Sequence, residues 1–237
     1  MMFKDILKEQ AQLSDIKLDD NQIELLTRYY ELLIEWNEKM NLTALTEPTD
    51  VALKHFCDSI LLLKYVSIPE KSSLIDVGTG AGFPSVPIKI VRPDIKLCLL
   101  DSLNKRLVFL KEVVDSLGLY NVDIIHSRAE DGAKKKELRE QFDFATSRAV
   151  AQLNILSEYC LPYVKLGGAF LAMKGKYSEE EITNAKSAIK TLGGKCEKVT
   201  KYELSDSSQR TIINIKKLNS TDKRYPRNSS KIKSKPL

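Results

Sequence analysis

The stretch Asp76-Val77-Gly78-Thr79-Gly80-Ala81-Gly82-Phe83-Pro84 concentrates the residue types best suited to wrapping a ligand. Glycines at 78, 80 and 82 let the backbone bend sharply and approach a bound group closely. Dinucleotide-binding turns place glycines at relative positions one, three and six. Position six here is Phe83, which weighs against a tight pyrophosphate contact. Twenty-one residues beyond Gly80, Asp101 ends an apolar run. A carboxylate at that spacing can accept both hydroxyls of a ribose; the competing role is a cap for the helix that follows. A third segment, His126-Ser127-Arg128-Ala129-Glu130, follows another apolar run and reads either as a ligand loop or as an ordinary connection with Glu130 near a helix start. Cys57, Cys98, Cys160 and Cys196 are widely spaced, and His55 and His126 lie far apart. No metal site or disulfide framework is expected, and the thiols read as reduced and mostly buried.

These residues need elements to position them. Up to about residue 66 the pattern is helical. Apolar residues crowd each turn from 23 to 40 (Ile23, Leu26, Tyr30, Leu33, Ile34), with Asp19 and Asp20 as caps. The segment 36–43 reads as a turn, and a second helix starts after Pro48-Thr49 and ends before Pro69. Beyond Pro69 short apolar runs at 74–77, 95–100, 122–125, 142–145 and 169–173 alternate with helical stretches. Runs of that length suit strands buried on both faces of a parallel sheet. Leu103, Leu107, Leu110, Val114 and Leu117 stripe one intervening helix, which Gly118 ends. Ile182, Ala185, Ile189 and Leu192 stripe another, with a Ser178–Glu181 capping box and Gly193-Gly194 at its close. A helical insertion, 134–140, mixed in charge and solvated, lengthens the approach to the fourth strand. Two last runs, near 196–202 and 211–218, have no helix between them and should pair antiparallel. The expected fold is α/β: a doubly wound, mostly parallel sheet with a terminal antiparallel hairpin and an N-terminal helical extension. The expected organisation is an extension (1–66), a ligand-binding domain (67–218) and a basic tail (219–237).

Length and composition agree with one large α/β domain: 237 residues, 43% hydrophobic. No run approaches the ~18 apolar residues of a membrane span, and the charged N-terminus carries no export signal, so a cytoplasmic protein is expected. The formal charge is +5. Residues 218–237 hold six basic residues and one acid, and the rest of the chain is formally neutral. A basic end of this kind points to a polyanionic partner, with a merely solubilising tail as the alternative. Nothing in the pattern demands more than a monomer.

Glycines at positions one, three and five after an acidic residue resemble motif I of class I S-adenosylmethionine (SAM)-dependent methyltransferases. The chain as a whole is similar to the glucose-inhibited division protein B family, the bacterial 16S ribosomal RNA guanine-N7 methyltransferases. The resembling segments are Trp36-Asn37 to Asn41-Leu42-Thr43, Lys54-His55-Phe56 to Asp58-Ser59, Asp76 to Pro84, Asp101-Ser102-Leu103-Asn104-Lys105-Arg106, Ser147-Arg148-Ala149, Lys174-Gly175 and Tyr225-Pro226-Arg227. They run in order along nearly the whole chain. The resemblance implies a class I methyltransferase fold and a SAM site at Gly78, Phe83, Ala129, Glu130 and Arg148, to which the ribose argument adds Asp101. Arg148, after the fourth strand, can neutralise a carboxylate or a phosphate. RNA would be held by Lys105, Arg106, Arg128, Lys174, Arg227 and the tail, so the partner is 16S RNA or the small subunit. The family tail carries a glycine and a proline shortly after its Tyr-Pro-Arg element; Ser229-Ser230 and Ile232 stand there instead.

The chemistry this implies needs no general base. Guanine N7 has a free lone pair and no proton to lose, so catalysis can rest on proximity and orientation. No catalytic residue is assigned; His55 is a candidate participant, although a lone histidine on an otherwise apolar helix is more often structural. Three rivals are a small-molecule methyltransferase, a nicotinamide-dependent oxidoreductase, against which Phe83 counts, and an RNA-binding protein without activity, against which the intact glycine turn and Asp101 count.

Overall fold

The computed structural model describes residues 2–148 and 151–237. Helices α1 (Phe3–Leu13) and α2 (Asp20–Met40) open the chain. Asp19 caps α2 by accepting from the Gln22 amide (2.8 Å), and the Gln22 side chain returns the contact to the Asp19 amide. The turn expected at 36–43 begins only at Asn41, because α2 continues through Trp36 to Met40 and ends on the left-handed Asn41. Next comes one helical rod of changing pitch: α3 (Pro48–Asp50), a π-helical stretch (Val51–Cys57) and α4 (Asp58–Tyr65).

The sheet follows: β1 (Ser73–Val77), α5 (Ser85–Val91), β2 (Lys96–Asp101), α6 (Asn104–Ser116), β3 (Val122–His126), α7 (Ala129–Gly132), β4 (Phe142–Arg148), α8 (Leu153–Cys160), a short 3₁₀ turn (Leu161–Tyr163), β5 (Val164–Lys174), α9 (Glu179–Thr191), β6 (Gly194–Glu203), β7 (Gln209–Lys217) and α10 (Ser229–Ser234). The strand order is β3-β2-β1-β4-β5-β7-β6. The first five strands are parallel; β7 lies antiparallel between β5 and β6, so the terminal hairpin forms as expected. Order reverses at β1, between β2 and β4, and a ligand crevice opens beyond the carboxyl ends of strands at such a point.

Alternation along each strand divides the core between the two faces. Leu74, Leu97, Leu99 and Leu171 pack under α1, α2, α4, α5 and α6. Ile75, Cys98, Leu100 and Phe170 face α8, α9 and the tail. The N-terminal helices therefore share one core with the sheet. Among the described residues no helix is long and apolar enough to cross a membrane.

Two local expectations are corrected. Residues 134–140 form a run of turns, not a helix, and are not simply solvated: Leu138 is buried and the Glu140 amide donates to Pro162 O. Ser178 does cap α9, accepting from the Glu181 amide, but the Glu181 carboxylate takes the Lys174 ammonium (2.7 Å) and the Leu153 amide (2.9 Å) rather than closing a box.

The C-terminal tail is docked. Ile232 on α10 is fully buried in the core that α8 and α9 share with the sheet. Arg139 donates to the carbonyls of Thr221, Asp222 and Tyr225. Buried Lys217 reaches Leu161 O, Glu140 and the Thr221 hydroxyl, and Tyr159 meets Ser229.

Candidate functional site

The glycine turn leaves β1 with Gly78, Gly80 and Gly82 all at positive φ (76°, 61° and 98°). The Gly78 and Thr79 amides donate to Leu100 O at the end of β2, tying the turn to its neighbouring strand. A Cβ on Gly82 would come within 2.6 Å of the Tyr29 hydroxyl and 2.8 Å of Leu110 and Val86. A Cβ on Gly80 would meet nothing within 4 Å, so that side of the turn faces free space. Below the turn sits an aromatic layer from α2 and the π-helical stretch. Tyr29, fully buried, donates to Ala81 O and stacks near Phe83, Phe56 and Phe109.

Asp101 stands behind the turn. Its carboxylate is buried and accepts from the Gly80 amide (3.0 Å), the Leu103 amide (2.9 Å) and, at 3.4 Å, Arg106. Asp101 does not cap α6: the amide it takes belongs to Leu103, which precedes the helix, and α6 has no side-chain cap, so what remains is its place against the glycine turn. Asp101 also pairs in register with His126 on β3, after which Ala129 and Glu130 open α7. Glu130 is largely buried as a residue, but its carboxylate oxygens keep access to solvent. Asp76, at the base of the turn, is fully buried; burial pushes its carboxyl up to about 7, against the pull of the Ser85 and Thr79 hydroxyls and the Arg148 charge.

The opposite wall is cationic. A cavity of about 360 Å³ lies between the turn (Gly78, Gly80, Phe83) and a group comprising His55, Asp58, Arg148 and Arg210. Arg148 ends β4 and is nearly buried. It donates to Lys54 O (3.1 Å) and His55 Nδ1 (3.0 Å), lies 3.4 Å from Asp58 and spreads over the Phe83 ring at 5.2 Å. Arginine can only donate, so His55 Nδ1 is the acceptor and its Nε2 carries the hydrogen, donated to Thr43 Oγ1 at 2.8 Å. His55 also stacks on Phe83, rings 4.5 Å apart. Burial and then the Arg148 charge pull its pKa from 6.5 to about 3, so the ring stays neutral. Asp58 accepts from Tyr202 (2.9 Å) and Arg210 (3.2 Å) besides Arg148. A second, more polar cavity of about 640 Å³ adjoins this one, sharing Lys174 and Gly175.

The expected site residues thus divide. Gly78, Phe83 and Arg148 line the cavity; Asp101 backs the turn; Ala129 and Glu130 stand beyond β3, next along the same edge of the sheet. Ala149, part of the Ser147-Arg148-Ala149 segment, lies outside the described residues. Of the expected RNA contacts, Lys105 and Arg128 are exposed, and Arg106 is half-turned to Asp101. Lys174 is drawn to Ala151 O (2.7 Å) and Glu181. Arg227 grips the buried Glu158 through Nε (2.9 Å) and Nη2 (2.6 Å), and a guanidinium so engaged anchors the tail rather than a phosphate. Sequence reasoning assigned no role to Tyr29, Asp58, Tyr202 or Arg210. Asp58 and Arg210 lie 152 positions apart, and only the return of β7 beside β5 joins them. Tyr29 stands next to Tyr30 in an apolar stripe, and spacing alone cannot say which one turns inward. Among the described residues no group of histidines, cysteines and carboxylates has metal-site geometry.

A family profile described as rRNA small subunit methyltransferase G (GidB) matches residues 22–213. The chain is 48% identical over 238 residues to Ribosomal RNA small subunit methyltransferase G of Clostridium perfringens (strain 13 / Type A), covering all of both chains. It is 49% identical over 232 residues to the protein of that name from Desulforamulus reducens, covering 98% of this chain and 97% of that one. Among solved structures it resembles M. jannaschii TYW2 in complex with AdoMet (TM-score 0.54, 14% identity, 68% of this chain and 77% of that chain). It also resembles TrmN from Thermus thermophilus (TM-score 0.53, 15% identity, 68% and 48%). At such identities these structures speak for the fold alone.

Proposed function

The chain belongs to the rRNA small subunit methyltransferase G family, and from that premise we propose that it transfers a methyl group from SAM to N7 of a guanine in small-subunit ribosomal RNA. The observation that carries this reading is an open glycine cradle backed by the buried Asp101 carboxylate, with the buried Asp76 Oδ1 at its base left without a partner among the described residues. Gly80 faces empty space, Asp101 sits directly behind it, and Glu130 opens α7 after the neighbouring strand. Those acceptors fit a nucleoside: Asp101 for ribose hydroxyls, Glu130 on the loop after the next strand, and the turn for the amino-acid end. When bound, SAM supplies a methyl already activated by its sulfonium.

The remaining work belongs to the chain's own side chains. N7 attacks with a lone pair and releases no proton, so no base is required. The site agrees with that demand. His55 is held between Arg148 and Thr43, with its one acceptor nitrogen already receiving a hydrogen bond. Its low pKa makes it a poor proton acceptor at neutral pH. His55, Phe83 and Arg148 instead form a rigid stacked wall that can orient a base and exclude water. The partner is then 16S RNA or the small subunit, the setting cytoplasmic and the protein a monomer.

Transfer of labelled methyl from SAM to naked 16S RNA, small subunits and whole ribosomes, followed by chemical cleavage at N7-methylguanine, tests this. Label at one guanine N7 is expected in at least one substrate. Label confined to another atom, or to small molecules, would sink the reading.

A further inference from the structure

We propose that Arg210, aimed by Asp58 and Tyr202, is a binding site for a phosphodiester of the substrate strand. The inference rests on the RNA-methylating reading above and adds a contact surface to it. Arg210 lies on β7 at the rim of the cavity, with its side chain mostly covered. Its Nε is fixed on Asp58 at 3.2 Å and its Nη1 on Gln209 O at 3.0 Å. The remaining Nη2 edge has no partner among the described residues, so a donor edge stays available in a fixed orientation.

Charge along this wall explains what that edge would take. Lys54 is matched by Asp50 (2.7 Å) and Asp206 (3.4 Å), and Lys174 by Glu181. The single carboxylate of Asp58 serves both Arg148 and Arg210, while His55 is neutral. The wall as a whole is balanced, since Lys54 faces two carboxylates, but at Asp58 two guanidiniums share one carboxylate, and that local shortage of negative charge favours an anion there. Arg148 is nearly buried with both terminal nitrogens engaged by Lys54 O, Asp58 and His55, whereas Arg210 keeps one terminal nitrogen free, so Arg210 is the member able to meet it. Two anions are chemically eligible: an RNA phosphate and the carboxylate of the methyl donor. The donor's reacting end is cationic, and the glycine turn with Asp76 and Asp101 lies on the other side of the cavity. The cationic wall is therefore the RNA side. Tyr202 is a positioning residue: buried, its phenol pushed up by burial and Asp58, it stays protonated and holds the carboxylate that aims Arg210.

The test measures 16S RNA binding by filter retention across a salt series, and SAM binding by calorimetry, on the full chain. Arg210→Gln is expected to weaken RNA binding about tenfold or more and to flatten the log–log salt slope by about 0.7, with SAM affinity unchanged. Tyr202→Phe removes no charge; it should weaken RNA binding by less and leave the slope as it was. Arg210→Lys keeps the charge but not the fork, so affinity drops while the slope is retained; it serves as the readout if Arg210→Gln fails to fold. RNA affinity and slope equal to wild type in the Arg210 variants would overturn the proposal. So would weakened SAM binding with RNA binding intact, which would give the site to the donor's carboxylate. A wild-type protein that methylates no RNA would instead count against the function proposed above.

Discussion

Two glycines of the same turn do different jobs. Gly82 is packed against Tyr29, Leu110 and Val86, while Gly80 borders open space, and both sit at positive φ. Gly82→Ala must force a methyl into occupied volume in a strained backbone. It is expected to cost about 3 kcal/mol of stability, read as a lower denaturant midpoint. Gly80→Ala carries only the backbone strain, about 1 kcal/mol, but its methyl would occupy the cradle, so SAM binding should suffer more than folding. Calorimetry beside urea unfolding separates the two. Asp76 and His55 titrate in opposite senses. Asp76, raised to about 7 by burial, binds a proton in the folded state that the unfolded chain releases, so its contribution falls as pH rises from about 4 to 7. His55, lowered to about 3, stays neutral where the unfolded chain is protonated, so its contribution falls as pH drops from 6.5 toward 3. Urea midpoints between pH 4.5 and 6.5, inside that shared window, should therefore shift in opposite ways. Asp76→Asn makes stability climb more steeply with pH, and His55→Gln makes it climb less or fall. Parallel changes in the two variants would contradict these assignments.

Among elements, the π-helical stretch and the tail matter most. The wider π turn at Val51–Cys57 carries Lys54 and His55, with Asp58 directly after it, and the backbone carbonyl of Lys54 and the side chains of His55 and Asp58 all meet Arg148. Such segments recur at functional sites because they re-aim side chains within an otherwise regular helix. The tail was legible as basic, yet its sequence did not show that it docks. Ile232→Ala is expected to remove about 3 kcal/mol, lowering Tm by about 10 °C. A loose arm would leave the melting curve unchanged. For the same reason, deleting residues 219–237 tests packing as much as charge, since it strips tail partners from Arg139, Lys217 and Glu158.

Across the whole molecule, the excess charge of the chain lies on this docked tail, where Lys231, Lys233 and Lys235 are exposed. A fixed basic strip presents its charges together, without the ordering cost of a free arm. Replacing the three lysines by glutamine should leave the melting temperature unchanged, since they are solvated. It should flatten the salt dependence of 16S RNA binding by about 2. A slope equal to wild type, by filter binding over a salt series, would remove the tail from the RNA interface.

Periodicity and punctuation in the chain sufficed for the parallel sheet, the closing hairpin and the ligand turn, because each depends on neighbours in sequence: glycines at 78, 80 and 82, a carboxylate ending the next strand, apolar runs between capped helices. What tertiary structure decided is how distant side chains share charge. Arg227, exposed by composition, is spent on Glu158; Lys174 turns to Glu181; Asp58 draws in Arg148, Tyr202 and Arg210 from three separate strands. A charged residue's type is local, but its partner is chosen by which backbone segments pack side by side, and burial makes that choice binding because an unpaired charge there is too costly.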